Sequence, residues 1–124
     1  MKRKFSLKSA GALLSGIALV FLLSATQSQA AVGDVFTDNH FKYTVLTEAG
    51  KIGTVSVEQR ADVLLSGLLI IPGSISRNTV TYSVIYVAEG AFYSCTELGG
   101  VTLPQSVIAL GDWAFSRCSG MSSI

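Results

Sequence analysis

Ala91-Phe92-x-x-Cys95-x-x-Leu98-x-x-Val101-x-Leu103-Pro104-x-Ser106-Val107-x-x-Leu110-Gly111-x-x-Ala114-Phe115-x-x-Cys118 contains its own repeat. Ala91, Phe92 and Cys95 return 23 residues later as Ala114, Phe115 and Cys118. Laying Thr79–Val101 over Thr102–Ile124 at that shift also pairs Thr79 with Thr102, Ser83 with Ser106, Val84 with Val107 and Ile85 with Ile108. Val80/Leu103, Val87/Leu110, Leu98/Met121 and Val101/Ile124 keep apolar character. A fixed period of this length means one supersecondary unit used more than once. Such a unit cannot bury its apolar side alone, so it is expected to stack on its copies as a solenoid.

The spacing says how one unit folds. Val101 and Leu103 alternate with polar or small neighbours, so both point inward from one short strand. Pro104 ends the pairing, because it has no N–H to give. Ser106–Leu110 reads as a second extended segment with Val107 and Leu110 as inward anchors. Gly111-Asp112 turns the chain, Ala114-Phe115 fills the far wall, and Cys118 closes the coil. Stacking places Phe92 on Phe115 and Cys95 on Cys118.

Working back along the chain, Leu69-Ile70-Ile71-Pro72-Gly73-Ser74-Ile75 matches Val101-Thr102-Leu103-Pro104-Gln105-Ser106-Val107. The two prolines are 32 residues apart, and the extra nine lie around Ser76–Val84. Arg77-Asn78 suits a turn there and Val80, Tyr82 and Val84 alternate, which predicts a β-hairpin excursion from the first coil. Residues 33–66 show no repeat. Phe41, Tyr43 and Val45 alternate as a half-buried strand, Ala49-Gly50 is a turn, and Ile52–Val57 is the returning strand. This is the pattern of a β cap over the first coil. Residues 58–65 read equally as a loop or a short helix.

The N-terminus has a different character. Met1–Lys8 is basic, Gly11–Leu23 is a continuous apolar run, and Ser28-Gln29-Ala30 presents small residues where a signal peptidase reads. Cleavage before Ala31 is expected. A permanent anchor would want about 20 apolar residues, and this run is shorter and ends in Thr26-Gln27-Ser28-Gln29. No cysteine lies near the cleavage point, so a lipid-anchored N-terminus is not indicated. Beyond Ala30, Lys42, Lys51, Arg60, Arg77 and Arg117 face all eight acidic residues, a net charge of −3. That balance offers no basic patch for nucleic acid. The expected organisation is a signal peptide at 1–30, a β cap at 31–66, and about two and a half coils at 67–124, the last one truncated.

With these residues in place, the Ala-Phe-x-x-Cys-x-x-Leu-x-x-Val-x-Leu-Pro pattern closely resembles the BspA-type leucine-rich repeat of bacterial surface antigens and some protist proteins. The resemblance runs from about Leu69 to Ile124. It is weaker over Asp34–Val45, where Phe36, Phe41 and Tyr43 resemble the strands that lead into such arrays. It implies a mainly β, right-handed leucine-rich-repeat solenoid that is exported and binds host, matrix or other surface macromolecules. It implies no shared binding residues. The alternative is a capping module, or a truncated piece of a longer array, with no ligand of its own.

Chemistry-bearing residues are few, and the chain is not expected to be an enzyme. His40 is the single histidine. Asp38 and Asn39 flank it, and adjacent residues do not converge as a base and its partner must. Cys95, Cys118 and His40 fall short of the four ligands of a structural zinc site. No cofactor or metal is expected. Stacked coils set equivalent Cα atoms about 4.8 Å apart, within bridging range, yet equivalent side chains point the same way. Buried thiols and a disulfide both stay open, with thiols favoured. No phosphate loop, Gly-x-Ser-x-Gly elbow or His-Glu-x-x-His pair occurs. Thr102 and Gln105 are expected to project from the inner strand beside Gly99-Gly100, a smooth face, and are candidate partner-binding residues. Trp113 stands where the preceding coil has Gly90; it either covers the next coil or serves as an exposed anchor, with packing favoured. The expected partner is a protein or surface macromolecule, with membrane contact only through the signal peptide. Self-association is expected at the open end around Met121 and Ile124.

Overall fold

The computed structural model describes residues 31–122; the expected signal peptide and Ile124 lie outside them. The chain opens with β1 (Val35–Thr37), β2 (Phe41–Ala49) and β3 (Ile52–Gln59), an antiparallel meander. Alternation drives it: Phe41, Tyr43 and Val45 on β2 are buried against Val55 and Val57 on β3. Asp38 sets the first turn. Its Oδ1 accepts the N–H groups of His40 (2.9 Å) and Phe41 (2.8 Å), and its Oδ2 accepts the Tyr43 hydroxyl (2.8 Å). Gly50, at φ 63°, makes the second turn.

The chain then runs through β4 (Gly67–Ile70), β5 (Ser74–Arg77), β6 (Val80–Val87), β7 (Leu98–Thr102) and β8 (Ala109–Leu110). The expected hairpin is β5–β6, paired antiparallel from Ser74↔Ser83 to Arg77↔Val80. Its two-residue turn, Asn78-Thr79, has both φ angles positive (52° and 66°), the twist that matches flanking strands. Val80, Tyr82 and Val84 are buried, as their alternation requires.

Two sheets result. One has the order β1-β2-β3-β6-β5, with β8 sharing the outer edge of β6 beyond the end of β5. The other is the parallel pair β4–β7. Residues 52–59 carry no visible repeat, yet β3 pairs parallel with β6 as β6 pairs with β8, with Val57, Val87 and Leu110 in line. The cap's last strand therefore serves as the wall strand of the first coil: β3 leads to β4, as β6 leads to β7. Residues 60–66 form a loop, not a helix.

The coils are tied a second time along their turns. Gly90, Phe92 and Ser94 donate N–H groups to the carbonyls of Asp112 (2.9 Å), Ala114 (2.7 Å) and Ser116 (2.8 Å). This is a parallel-strand spacing imposed on irregular backbone. The aromatic ladder is present and longer than the repeat implied. Phe92 stacks on Phe115 (centroids 5.2 Å apart, planes at 7°) and meets Phe41 of the cap edge-on (6.2 Å, 86°).

The second coil departs from expectation. Of residues 106–110 only Ala109–Leu110 is strand. Leu110, an expected inward anchor, is 47 % exposed, and Val107 and Cys118 are only half-buried. The reason is position in the stack. Val87 is covered by the Leu110 rung, whereas no rung among the described residues covers Leu110.

Tyr82 is buried and donates its hydroxyl to Glu48 Oε2 at 2.8 Å. Burial, then this hydrogen bond and the Glu48 charge, push its pKa from 10.0 up to about 12. The folded state thus holds the phenol proton more tightly than the unfolded chain does. That stabilisation is complete below the unfolded value near 10 and is lost as pH rises through about 12. Denaturant melts between these pH values should show falling stability, and Tyr82→Phe should shallow the fall; an unchanged slope in the variant would show that Tyr82 is not its source.

Candidate functional site

The β4–β7 pair forms the inner face of the coils. Its register sets Leu69 beside Val101, both buried, and therefore turns the alternate residues outward. Leu68 lies opposite Gly100 and Ile70 opposite Thr102. Thr102 is exposed there at the end of the strand; Gln105 is also exposed, but in the turn past Pro104 and not on the inner strand from which it was expected to project.

Beside Thr102 is an apolar strip that the sequence reading did not single out. Leu68 is 81 % exposed, Ile70 71 % and Leu64, in the approach loop, 83 %. Isolated exposed leucines are ordinary, but a contiguous group of this kind marks interaction surfaces. Opposite Leu68, Gly100 places no side chain over the strip. A groove of about 280 Å³ runs along the outer side of β4, between that strand and the His40-Phe41 turn. The match of Ile70 to outward-facing Thr102 already carried the signal, since Leu68 lies two residues before Ile70.

Trp113 belongs to a different wall. It sits in the turn after β8, in the segment bonded to Gly90–Ser94, and is 71 % exposed. The packing favoured for it is not what the structure shows: among the described residues the indole covers no other coil. Its φ of 62° repeats that of Gly90 (63°), and Arg117 (61°) repeats Ser94 (60°). The turn keeps its left-handed positions from coil to coil whatever residue occupies them. A tryptophan there carries a steric cost that glycine avoids. Arg117 lies over the Tyr93 ring at 5.9 Å, a cation–π contact between coils.

His40 is exposed in the first turn, where its N–H and carbonyl hold Asp38 and Arg60. Among the described residues, no group of three His, Cys, Asp or Glu could hold a metal. Cys95 and Cys118 are free thiols with separate acceptors: Gln59 Oε1 for Cys95 and the Phe92 carbonyl for Cys118, both at 3.1 Å. Burial, with Cys118 nearby, pushes the Cys95 pKa above its usual value. Alkylation of the folded protein should therefore label Cys118 before Cys95, and denatured protein should take two labels. Recovery of the pair joined in one peptide would overturn the assignment.

Residues 73–124 match the family model described as the BspA type leucine-rich repeat region (6 copies). Among solved structures, the chain is similar to the pneumococcal vaccine antigen PcpA, with 27 % identity and a TM-score of 0.61 over 77 % of this chain and 27 % of that one. It is similar to a leucine-rich repeat protein from Bacteroides capillosus, with 26 % identity and a TM-score of 0.58 over 72 % of this chain and 62 % of that one. The leucine-rich repeat protein of T. pallidum gives 25 % identity and a TM-score of 0.51 over 73 % and 38 %. The chain thus spans about a quarter of the pneumococcal antigen's length. No curated protein matches the sequence.

Proposed function

We propose, from its BspA-type leucine-rich-repeat region at residues 73–124, that this chain is an exported or cell-surface recognition protein that binds a macromolecular partner through its inner face. The observation that carries the reading is the strip of Leu64, Leu68 and Ile70 exposed beside Thr102. Leaving three large apolar groups in water forgoes roughly 1.5–3 kcal/mol each of burial, and a partner would recover it. The basic, apolar and small-residue order of residues 1–30 supports export.

A second reading is a module that opens a longer array and binds nothing itself. Its support is the exposure of Ile108 (79 %) and Leu110 (47 %), which a further coil would cover. Surface plasmon resonance against purified extracellular-matrix proteins separates the two. Recognition predicts binding that Leu68→Asp and Ile70→Asp abolish and that strengthens when copies of Thr102–Ile124 are appended. Improved solubility without any binding, in the original and the lengthened chain alike, would leave only the array-opening role. Intact mass of the exported protein checks cleavage before Ala31; a mature chain that keeps Gly11–Leu23 would refute it.

A further inference from the structure

We infer that the inner face takes its partner by strand addition: an extended, uncharged peptide segment pairs with the free edge of β4 and seats alternate apolar side chains on Leu64, Leu68 and Ile70. The inference rests on the recognition reading above and specifies its mode.

The argument begins with the backbone. Gly67 and Ile71 donate their N–H groups to the carbonyls of Glu97 (3.0 Å), just before β7, and Thr102 (3.1 Å), at its end. They are an even number of residues apart, so Gly67, Leu69 and Ile71 address β7. In an extended strand the intervening residues address the other side. Leu68 and Ile70 therefore turn both N–H and C=O away from β7, and among the described residues no strand pairs with that edge. An edge of this kind is a template for another chain, and proteins usually guard it with lysine or an inward-pointing charge. Residues 64–70, Leu-Leu-Ser-Gly-Leu-Leu-Ile, hold no charge at all.

The surroundings suit one strand and little more. The groove beside this edge is about 280 Å³ and is walled by His40 and Phe41 on its far side. Its apolar strip comes from Leu64, Leu68 and Ile70, together roughly the size of an ordinary monomer's largest apolar patch. A stable dimer needs roughly 800 Å² from each partner, more than this strip supplies, so a second copy is the poorer occupant. A short peptide gains main-chain hydrogen bonds for affinity and side-chain seats for selectivity, the logic of strand addition elsewhere. The uncharged rim selects an uncharged segment.

The probe is the acetylated and amidated peptide Thr-Leu-Thr-Val-Thr-Leu, with two N-methylated versions, one in each alternate phase, each removing the donors of one edge. Binding is read by chemical-shift perturbation of the Leu68 amide, and of the Ile70 amide wherever isoleucine is kept. The unmodified peptide should bind, and N-methylation in the matching phase should weaken it about tenfold, as expected for losing a pair of hydrogen bonds. Ile70→Pro should do the same, because it deletes a donor on the free edge only and proline is tolerated there. Retained shifts at Val101 and Thr102 would show that this variant keeps the β4–β7 ladder, and the N-methylated peptide tests the edge without altering the protein. Peptide binding that N-methylation in either phase leaves unchanged, but that Leu68→Asp abolishes, would overturn strand addition while leaving recognition by side chains intact. Absence of peptide binding would also overturn it, and matrix binding insensitive to Leu68→Asp would remove the recognition reading as well. A concentration-dependent dimer that Ile70→Pro dissociates would assign the edge to a second copy and overturn the peptide.

Discussion

Phe92→Ala should cost about 3–5 kcal/mol in denaturant melts, the usual penalty for emptying a fully buried aromatic site. Phe92 has no exposed surface and is held from both sides, edge-on by Phe41 and face-on by Phe115. Its removal leaves a cavity bounded by the cap on one side and the second coil on the other. The backbone there is pinned by the Phe92 N–H to the Ala114 carbonyl at 2.7 Å, so the walls have little freedom to collapse inward. Phe115→Ala should cost less, about 1–2 kcal/mol, because that ring is half-buried and loses less burial when truncated. The difference between the two variants is the informative quantity. Equal costs would mean that Phe115 is covered as fully as Phe92, which requires a further layer on the second coil in solution. A cost below about 1 kcal/mol for Phe92→Ala would contradict the ladder altogether.

The parts of this fold legible in sequence are those in which one residue type must recur. Phe92 over Phe115 and the inward alternation of Val80, Tyr82 and Val84 follow from period and parity, and both are found. The role of β3 was hidden for a physical reason. A wall strand is specified mainly by backbone pairing and by one buried row, so Val55 and Val57 satisfy it without any of the Ala-Phe-x-x-Cys pattern of the coils. The periodic reading stopped at the first coil because the cap keeps the register and abandons the side-chain code. Leu110 and Trp113 are exposed because, among the described residues, no further rung lies over their coil. Burial in a stack is decided by the next layer, and the alignment of one coil with another does not say whether a next layer is there. On the inner face, the outward position of Thr102 follows from parity with buried Val101, whereas Gln105 lies past the strand in a turn and is exposed for that reason. Leu68 and Ile70 were passed over because they are apolar, and apolar residues near a repeat are read first as core. Parity alone already placed Ile70 outward, in line with Thr102.

Gly111→Ala should be the most damaging of the conservative glycine changes, costing about 3 kcal/mol or more. The reason is not conformational freedom. Gly111 donates to the Val87 carbonyl at 2.7 Å, and a Cβ on it would press into the main chain of Ala88 and Glu89, reaching 2.7 Å from the Glu89 Cα. Backbone atoms cannot rotate out of the way as a side-chain tip can, so the two coils must separate. Separation breaks the turn ladder at Gly90–Asp112 and Phe92–Ala114 and loosens the stacking of Phe92 on Phe115. Gly90 makes the useful contrast. It sits at φ 63° with open space where a Cβ would go, so Gly90→Ala meets only the left-handed conformational cost of about 1 kcal/mol. Hydrogen exchange distinguishes the two mechanisms better than total stability does. In Gly111→Ala the Gly90, Phe92 and Ser94 amides should lose protection together, while the β2–β3 amides of the cap keep theirs. In Gly90→Ala the same amides should stay protected, with only a uniform decrease across the chain. If Gly111→Ala left the turn ladder protected, close contact between the coils would not be what holds the stack together, and the Phe92 cavity would have to be explained by packing within a single coil.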